Sequence, residues 1–153
     1  MKKMKDERIE FLSVRSDYNV YEIENGQTLK IKLETVDIIN TSENEQTPTA
    51  KIQTKLISHV ISPKDIDTSG LERSTGIVTE KDHVKELNFK TIKEVVNIYE
   101  TKKAFIFTAL NLEEVFLTNK KNAQDEPILR FTSNNGIDFI QKPEFKTKAS
   151  QTS

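Results

Sequence analysis

Apolar and polar residues alternate along most of this chain, and this two-residue period is typical of strands that bury one face. Two Asn-Gly pairs, at residues 25–26 and 135–136, each lie between alternating runs. Asn-Gly in this setting is the strongest short-range signal of a β-hairpin. The pattern therefore predicts two hairpins, one towards each end of the chain.

The spacing of the apolar residues indicates how each predicted hairpin turns. A three-residue loop that ends in a left-handed glycine would pair Tyr21 with Leu29 in the first hairpin. The same loop would pair Phe131 with Phe139 in the second. Both pairings keep the large apolar side chains on one face, as a half-buried antiparallel pair requires, whereas two-residue loops would divide them between the faces. We therefore predict three-residue loops.

The second strand of the first hairpin, at residues 28–39, changes its apolar parity. Leu29 and Leu33 occupy odd positions, whereas Val36 and Ile38 occupy even ones. A straight strand cannot bury both sets on the same side of a sheet. The change predicts a bulge or bend near residues 34–35, of the kind that lets a sheet curl.

Other apolar runs predict further strands. They lie at residues 9–14, where one helical turn is the alternative, and at 50–61, 104–110 and 114–118. A short helix capped by Asn111 is the rival for the last of these. Two polar stretches without a sustained period, at residues 41–49 and 62–79, are interpreted as connections. The second is long for an ordered loop, and such loops are often functional.

Residues 80–99 carry competing signals. Thr79 and Asp82 resemble a capping box, and Val84 and Leu87 begin an apolar stripe with helical spacing. The β-branched and aromatic residues towards the end of the segment favour a strand instead. We predict a helix over residues 81–89 and a strand over residues 91–99.

The predicted elements are many short strands with at most one or two short helices. This combination is typical of a mainly β protein built from antiparallel hairpins that form a curled sheet, a sandwich or a partly open barrel. An α+β fold is the alternative. Residues 8–143 are expected to form a single β-rich domain, flanked by flexible tails at residues 1–7 and 144–153.

Composition narrows the possible chemistry and location. Lys+Arg 23 against Asp+Glu 24 leaves a net charge of -1, which argues against bulk electrostatic capture of nucleic acid or of an anionic membrane. The absence of cysteine excludes disulfides, thiolate zinc sites and cysteine nucleophiles, and fits a reducing compartment. The charged N-terminus does not resemble a secretory signal, and no apolar run approaches the roughly 20 residues of a membrane-spanning helix. We expect a cytoplasmic protein.

Asp65, Asp67 and Ser69 are the candidate metal ligands. Oxygen-bearing side chains at alternate positions before a glycine resemble the opening of a calcium-binding loop. The similarity then fails, because Arg73 occupies the ninth position and Gly76 the position of the bidentate glutamate. A polar turn, in which the aspartates accept hydrogen bonds from nearby amides, is the preferred interpretation, and no metal or cofactor is expected.

His59 and His83 are the only histidines of the chain, and each is a candidate general base. The sequence places no nucleophile or orienting carboxylate beside either, and it carries no nucleophile elbow, zinc-protease or dinucleotide-binding motif. An enzyme that uses His59 or residues 65–73 is therefore the third functional hypothesis, and no catalytic residue is assigned.

Strand 50–61 supplies the candidates for a protein interface. The odd-numbered residues of this strand share one face, which is polar at residues 51–55 and mainly apolar at residues 57–61. The second half of the strand is therefore expected to be covered on both sides. The interface candidates are Ile57, His59 and Ile61. Our leading hypothesis is a non-catalytic β-rich module that binds another protein or a second copy of itself, as an accessory or assembly subunit.

Four lysines on the polar faces of two strands support the second hypothesis, a small nucleic-acid-binding β domain. They are Lys30, Lys32, Lys51 and Lys55. A basic sheet face can bind single strands when aromatic side chains provide stacking platforms. Since the chain is nearly neutral, a solvated lysine face that protects a sheet edge is the preferred interpretation.

Overall fold

The structure is a computed structural model that describes residues 7–41 and 49–142. Eleven strands and one 3-10 turn account for most of these residues. In chain order the strands are β1 (Glu7–Arg8), β2 (Leu12–Arg15), β3 (Asn19–Ile23), β4 (Thr28–Asn40), β5 (Ala50–Ile61), β6 (Glu72–Arg73), β7 (His83–Leu87), β8 (Phe89–Lys93), β9 (Val96–Glu100), β10 (Ala104–Lys121) and β11 (Pro127–Gln141).

The strands form two sheets, each organised around one long strand. In the first sheet β4 pairs with β5 along one side and with β3 and β1 along the other, and β8 extends the sheet beyond β3. In the second sheet β10 pairs with β11 along one side and with β9, β7 and β6 along the other, and β2 extends the sheet beyond β9. The pairings are antiparallel except for the short contact of β6 with β10. Neither sheet closes into a barrel.

The core lies between the inner faces of the two sheets. Its larger part combines side chains of β3 and β4 with side chains of β7 and β10, among them Tyr21, Leu29, Leu87 and Val115. A smaller cluster of Ile38, Tyr99 and Ile106 fills the other end. A mainly β sandwich is therefore confirmed. The α+β alternative is wrong, because the described residues contain one 3-10 turn and no α-helix.

The first predicted hairpin is confirmed. Tyr21 lies opposite Leu29, and Gly26 adopts the left-handed conformation with φ of +98°. The buried Gln27 side chain then fixes the loop, since its amide donates to the Ser62 hydroxyl at 2.9 Å and to the Pro127 carbonyl at 3.1 Å.

The predicted irregularity of β4 is also confirmed. The register with β5 shifts between Thr35 and Asp37, which makes Val36 the extra residue of a bulge. The bulge lets Leu33 and Ile38, which differ in parity, both face the core.

The second predicted hairpin is wrong. Residues 127–141 form one continuous strand in which Phe131 lies opposite Val115, and Phe139 lies opposite Ile106. Gly136 lies opposite Ala109 with no left-handed φ. Long-range pairing along the whole of β10 replaces the local turn, because a long ladder against a buried strand outweighs one turn preference.

The chain instead reverses between β10 and β11 at residues 122–126. The Asn122 side-chain oxygen accepts hydrogen bonds from the amides of Gln124 and Glu126 at 2.9 and 3.0 Å, and Asp125 has φ of 60°. Side-chain capping and a left-handed aspartate thus provide the turn that we predicted at an Asn-Gly pair.

The predicted helix over residues 81–89 is wrong as well. The capping interaction exists, with the Thr79 amide donating to Asp82 Oδ2 at 2.9 Å, but it begins only a 3-10 turn, Glu80–Asp82. β7 follows immediately, and its Leu87 pairs with Val115. Helix propensity is overridden by pairing with β10.

Most of the remaining strand predictions are confirmed. β5 has the predicted bounds, and the strands predicted at residues 104–110 and 114–118 are parts of β10. The strand predicted at 91–99 is divided between β8 and β9. Residues 42–48, most of the predicted N-terminal tail and the whole predicted C-terminal tail lie outside the described residues. Across the described ranges, no helix has the length and apolar character needed to cross a bilayer.

Candidate functional site

The two sets of residues proposed for partner binding share one surface, the outer face of β4 and β5. Lys30 lies opposite His59, and Lys32 lies opposite Ile57. Directly opposed residues of antiparallel strands project from the same side of a sheet. The lysine face defined by this register contains Lys30, Lys32, Lys51, Lys55, Ile57, His59 and Ile61.

The expected cover over the second half of β5 is wrong. His59 is exposed and Ile61 is 46% exposed, while Ile57 is half-buried. The second sheet packs against the inner face of the first, and on the outer face Ser16 and Tyr18 cover Lys32 but leave His59 and Ile61 exposed. The interface candidates are therefore accessible to a partner.

Several charges on and beside the lysine face are already paired. The Lys32 ammonium lies 3.4 Å from Glu34 Oε1, 3.2 Å from Ser16 Oγ and 4.8 Å from the centre of the Tyr18 ring. Glu34 is also the cross-strand neighbour of Lys55. Phosphate oxygens would have to compete with these partners, which reduces the positive potential of the face.

Asp67 and Ser69 form a local turn. Asp67 Oδ1 accepts hydrogen bonds from the Ser69 amide at 2.9 Å and from its hydroxyl at 2.7 Å. These bonds hold the pKa of Asp67 below its usual value, the backbone bond contributing most. In the part of the chain that the structure describes, no three His, Asp or Glu side chains lie close enough together to hold a metal ion. Asp65 and Asp67 are therefore not part of such a group.

The hydroxyl of Ser62, three residues after His59, hydrogen-bonds the Glu126 carboxylate. The pKa of Glu126 is lowered, first by the hydrogen bond from the Asn122 amide and then by the one from Ser62. To activate Ser62 as a nucleophile, a general base would have to displace Glu126 as the acceptor of the Ser62 hydroxyl proton.

His83 lies in a small concavity of about 160 Å³ on the outer face of the second sheet. Its ring stacks on Phe116 with 4.2 Å between the ring centres, and its Nε2 lies 2.8 Å from Arg130 Nη1. Since a guanidinium only donates, His83 Nε2 accepts this bond, and the lone pair that a general base would use is engaged.

A larger and more open concavity of about 790 Å³ lies at the other end of the sandwich. Four of its ionisable side chains form two ion pairs. Arg8 lies 3.3 Å from Asp37, and Lys142 lies 2.5 Å from Glu100. Neither concavity is lined by His59 or by residues 65–73, the two places on which an enzyme hypothesis depends.

Sequence reasoning did not identify a largely apolar, accessible surface of the second sheet. This apolar face, on the outer side of the second sheet, contains Leu12, Val96, Ile98, Phe105, Phe107 and Ile140. Leu12 is 71% exposed, Ile140 51% and Val96 46%, and the two phenylalanines are half-buried. Phe105-Ile106-Phe107 did predict apolar groups on both sides of the strand, but not that one side faces solvent.

Two long strands also have an unpaired edge. β5 pairs only with β4, and β11 pairs only with β10, among the strands described. An unpaired edge presents a row of free amide and carbonyl groups that can pair with another chain. β5 carries two exposed lysines there, Lys51 and Lys55, whereas β11 carries no lysine. Lysine is a common protection against edge-to-edge association, so the β11 edge is the less protected.

Comparison of the chain with models of protein families, with curated protein sequences and with solved structures gave no match.

Proposed function

We propose that this chain is a non-catalytic protein-interaction module that binds its partner through the apolar face of the second sheet. The observation that carries the proposal is the exposure of Leu12, Val96 and Ile140 beside the half-buried Phe105 and Phe107. Burial of such side chains against a partner is favourable by about 25 cal/mol for each Å² of apolar surface removed from water. Contiguous apolar patches on small proteins often mark interaction sites.

The chemistry of the apolar face favours a protein over a small ligand or a nucleic acid. The face follows four adjacent strands, β2, β9, β10 and β11, and is a sheet surface rather than an enclosed pocket. Charged residues surround these side chains: Arg15 lies opposite Ile98, Asp138 lies opposite Phe107, and the Lys142 ammonium, which is paired with Glu100, lies 5.3 Å from the centre of the Phe105 ring. An aromatic and aliphatic centre with a polar rim is the usual anatomy of a protein interface.

An affinity experiment with matched variants tests the proposal. The wild-type protein, Val96→Lys and Ile77→Lys are immobilised and exposed to a lysate of the source organism, and retained proteins are identified by mass spectrometry. Ile77 is 92% exposed and lies outside the apolar face, so its variant is the control for an added lysine. We expect one or more proteins to be retained by the wild type and by Ile77→Lys and lost from Val96→Lys. Retention of the same proteins by all three baits would contradict the proposal.

A nucleic-acid-binding role is the second candidate, supported by the common outer face of Lys30, Lys32, Lys51 and Lys55. Fluorescence anisotropy with labelled single-stranded DNA and RNA at about 50 mM salt tests it, because phosphate contacts are strongest at low salt. If this role is correct, the protein binds the labelled nucleic acid at low salt, and the binding weakens as the salt concentration is raised. The Lys51→Glu variant should also bind more weakly than the wild type. The absence of binding at low salt would exclude it.

A further inference from the structure

The unpaired edge of β11 has a sequence that is complementary to itself. Four pairs of residues equally far before and after Asn134 are chemically complementary. Arg130 corresponds to Asp138, and Leu129 corresponds to Phe139. Two further apolar pairs are Ile128 with Ile140 and Phe131 with Ile137.

We propose that β11 pairs with β11 of a second copy of this chain, antiparallel and with a two-fold axis at Asn134. In this register each residue before Asn134 lies opposite its counterpart after it in the other copy. The two sheets then join edge to edge into one continuous sheet. Isologous contacts of this kind are self-complementary and close after two subunits.

The positions of the charged side chains agree with this register. Arg130 lies opposite Phe116 and Asp138 lies opposite Phe107, so both project from the outer face of the second sheet. In a single copy Arg130 contacts His83, and a turn of its side chain towards the free edge would bring it to Asp138 of the second copy on the same face, twice per dimer. Asp138 is exposed and forms no ion pair with a described residue. Moving the axis to residue 133 or 135 would place each charge opposite a neutral residue.

The apolar side chains of β11 are also left partly uncovered in a single copy. Phe139 lies opposite the fully buried Ile106, yet it is 45% exposed, and Ile137 is 42% exposed. Both are on the inner side of the sheet but at its edge, where none of the described strands covers them. In the proposed register Phe139 would lie beside Leu129 of the second copy and Ile137 beside Phe131, which removes apolar surface from water.

The other long free edge, that of β5, does not offer this complementarity. β5 contains Lys51 and Lys55 and no acidic residue, so no antiparallel register of β5 with itself sets opposite charges against each other. An axis at Gln53 would place Lys51 against Lys55 of the second copy. Like charges directly opposite are destabilising, which assigns the contact to β11.

Sedimentation equilibrium over a protein concentration range of about 1 to 500 µM tests the proposal, since an edge-to-edge contact is smaller than a standard interface and is expected to be weak. We expect reversible dimerisation of the wild type. Asp138→Arg should weaken it at least about tenfold, because two favourable pairs become repulsive. Lys51→Glu, a charge reversal on the other free edge, should leave it unchanged.

A mixing experiment checks the register itself. Arg130→Asp alone should also dimerise poorly, because it sets the introduced carboxylate against Asp138 of the second copy. An equimolar mixture of Arg130→Asp with Asp138→Arg should form a heterodimer as readily as the wild type forms a dimer, since each position then faces its opposite charge. A monomeric wild type at all concentrations, equal weakening by Lys51→Glu, or no recovery in the mixture would overturn the proposal. Val96→Lys lies outside β11, so a failure here is distinguishable from a failure of the proposed function.

Discussion

Replacement of Leu29 by alanine is expected to lower the free energy of unfolding by about 2–5 kcal/mol, the usual cost of truncating a fully buried leucine. Leu29 has 0% of its surface exposed and lies on β4 between Tyr21 of β3 and Val60 of β5. The substitution removes core contacts with both neighbours and leaves a cavity between the sheets. Urea denaturation followed by circular dichroism measures the change.

Ile77→Ala is the matched control for this substitution. Ile77 is 92% exposed, so its truncation should change the free energy of unfolding by less than about 0.5 kcal/mol. If both variants unfolded at the urea concentration that unfolds the wild type, the two-sheet core around Leu29 would be refuted.

Replacement of Asn19 by alanine is expected to lower the free energy of unfolding by about 2–4 kcal/mol, because buried polar groups would lose their partners. Asn19 is 2% exposed, and its amide group connects three parts of the sandwich. Its Nδ2 donates to the Leu110 carbonyl at 2.5 Å and to the Tyr21 hydroxyl at 3.2 Å, and its Oδ1 accepts from the Val95 amide at 2.9 Å.

The Tyr21 hydroxyl belongs to the same network. It donates to Glu94 Oε2 at 2.7 Å, and burial, followed by this hydrogen bond, raises the pKa of Tyr21 to about 12.

The control for Asn19→Ala is Asn111→Ala, at an exposed position of β10. In thermal and urea unfolding, Asn19→Ala should be clearly less stable than Asn111→Ala. Equal stabilities would show that the network adds nothing to the fold.

The two Asn-Gly pairs show how far the sequence predicts this fold. A three-residue loop gives Phe131 and Phe139 the same parity, and so does a continuous strand, so the alternating pattern is compatible with both structures. Whether the chain forms a hairpin or a continuous strand depends on the residues that contact each Asn-Gly pair. The first pair has Gln27, whose side chain fixes the turn against Ser62 and Pro127. The second has β10, long enough to pair on both sides of Gly136.

The sequence likewise predicted some features of the candidate sites and not others. The sequence predicted which lysines share a face of β4 and β5, because side-chain direction alternates along a strand. It did not predict that Phe105 and Phe107 face outwards into solvent or that β11 lies at an edge. Both depend on the order of the strands in the sheets, and that order is decided by residues far apart in the chain.

The central claim is that residues 127–141 form one edge strand along β10, because both the apolar face and the free edge of β11 depend on it. Nuclear Overhauser contacts between backbone protons of the labelled protein test it most directly. We predict cross-strand contacts of Phe139 with Ile106 and of Phe131 with Val115. Contacts between Phe131 and Phe139 of the same chain, as a hairpin at residues 135–136 requires, would contradict it.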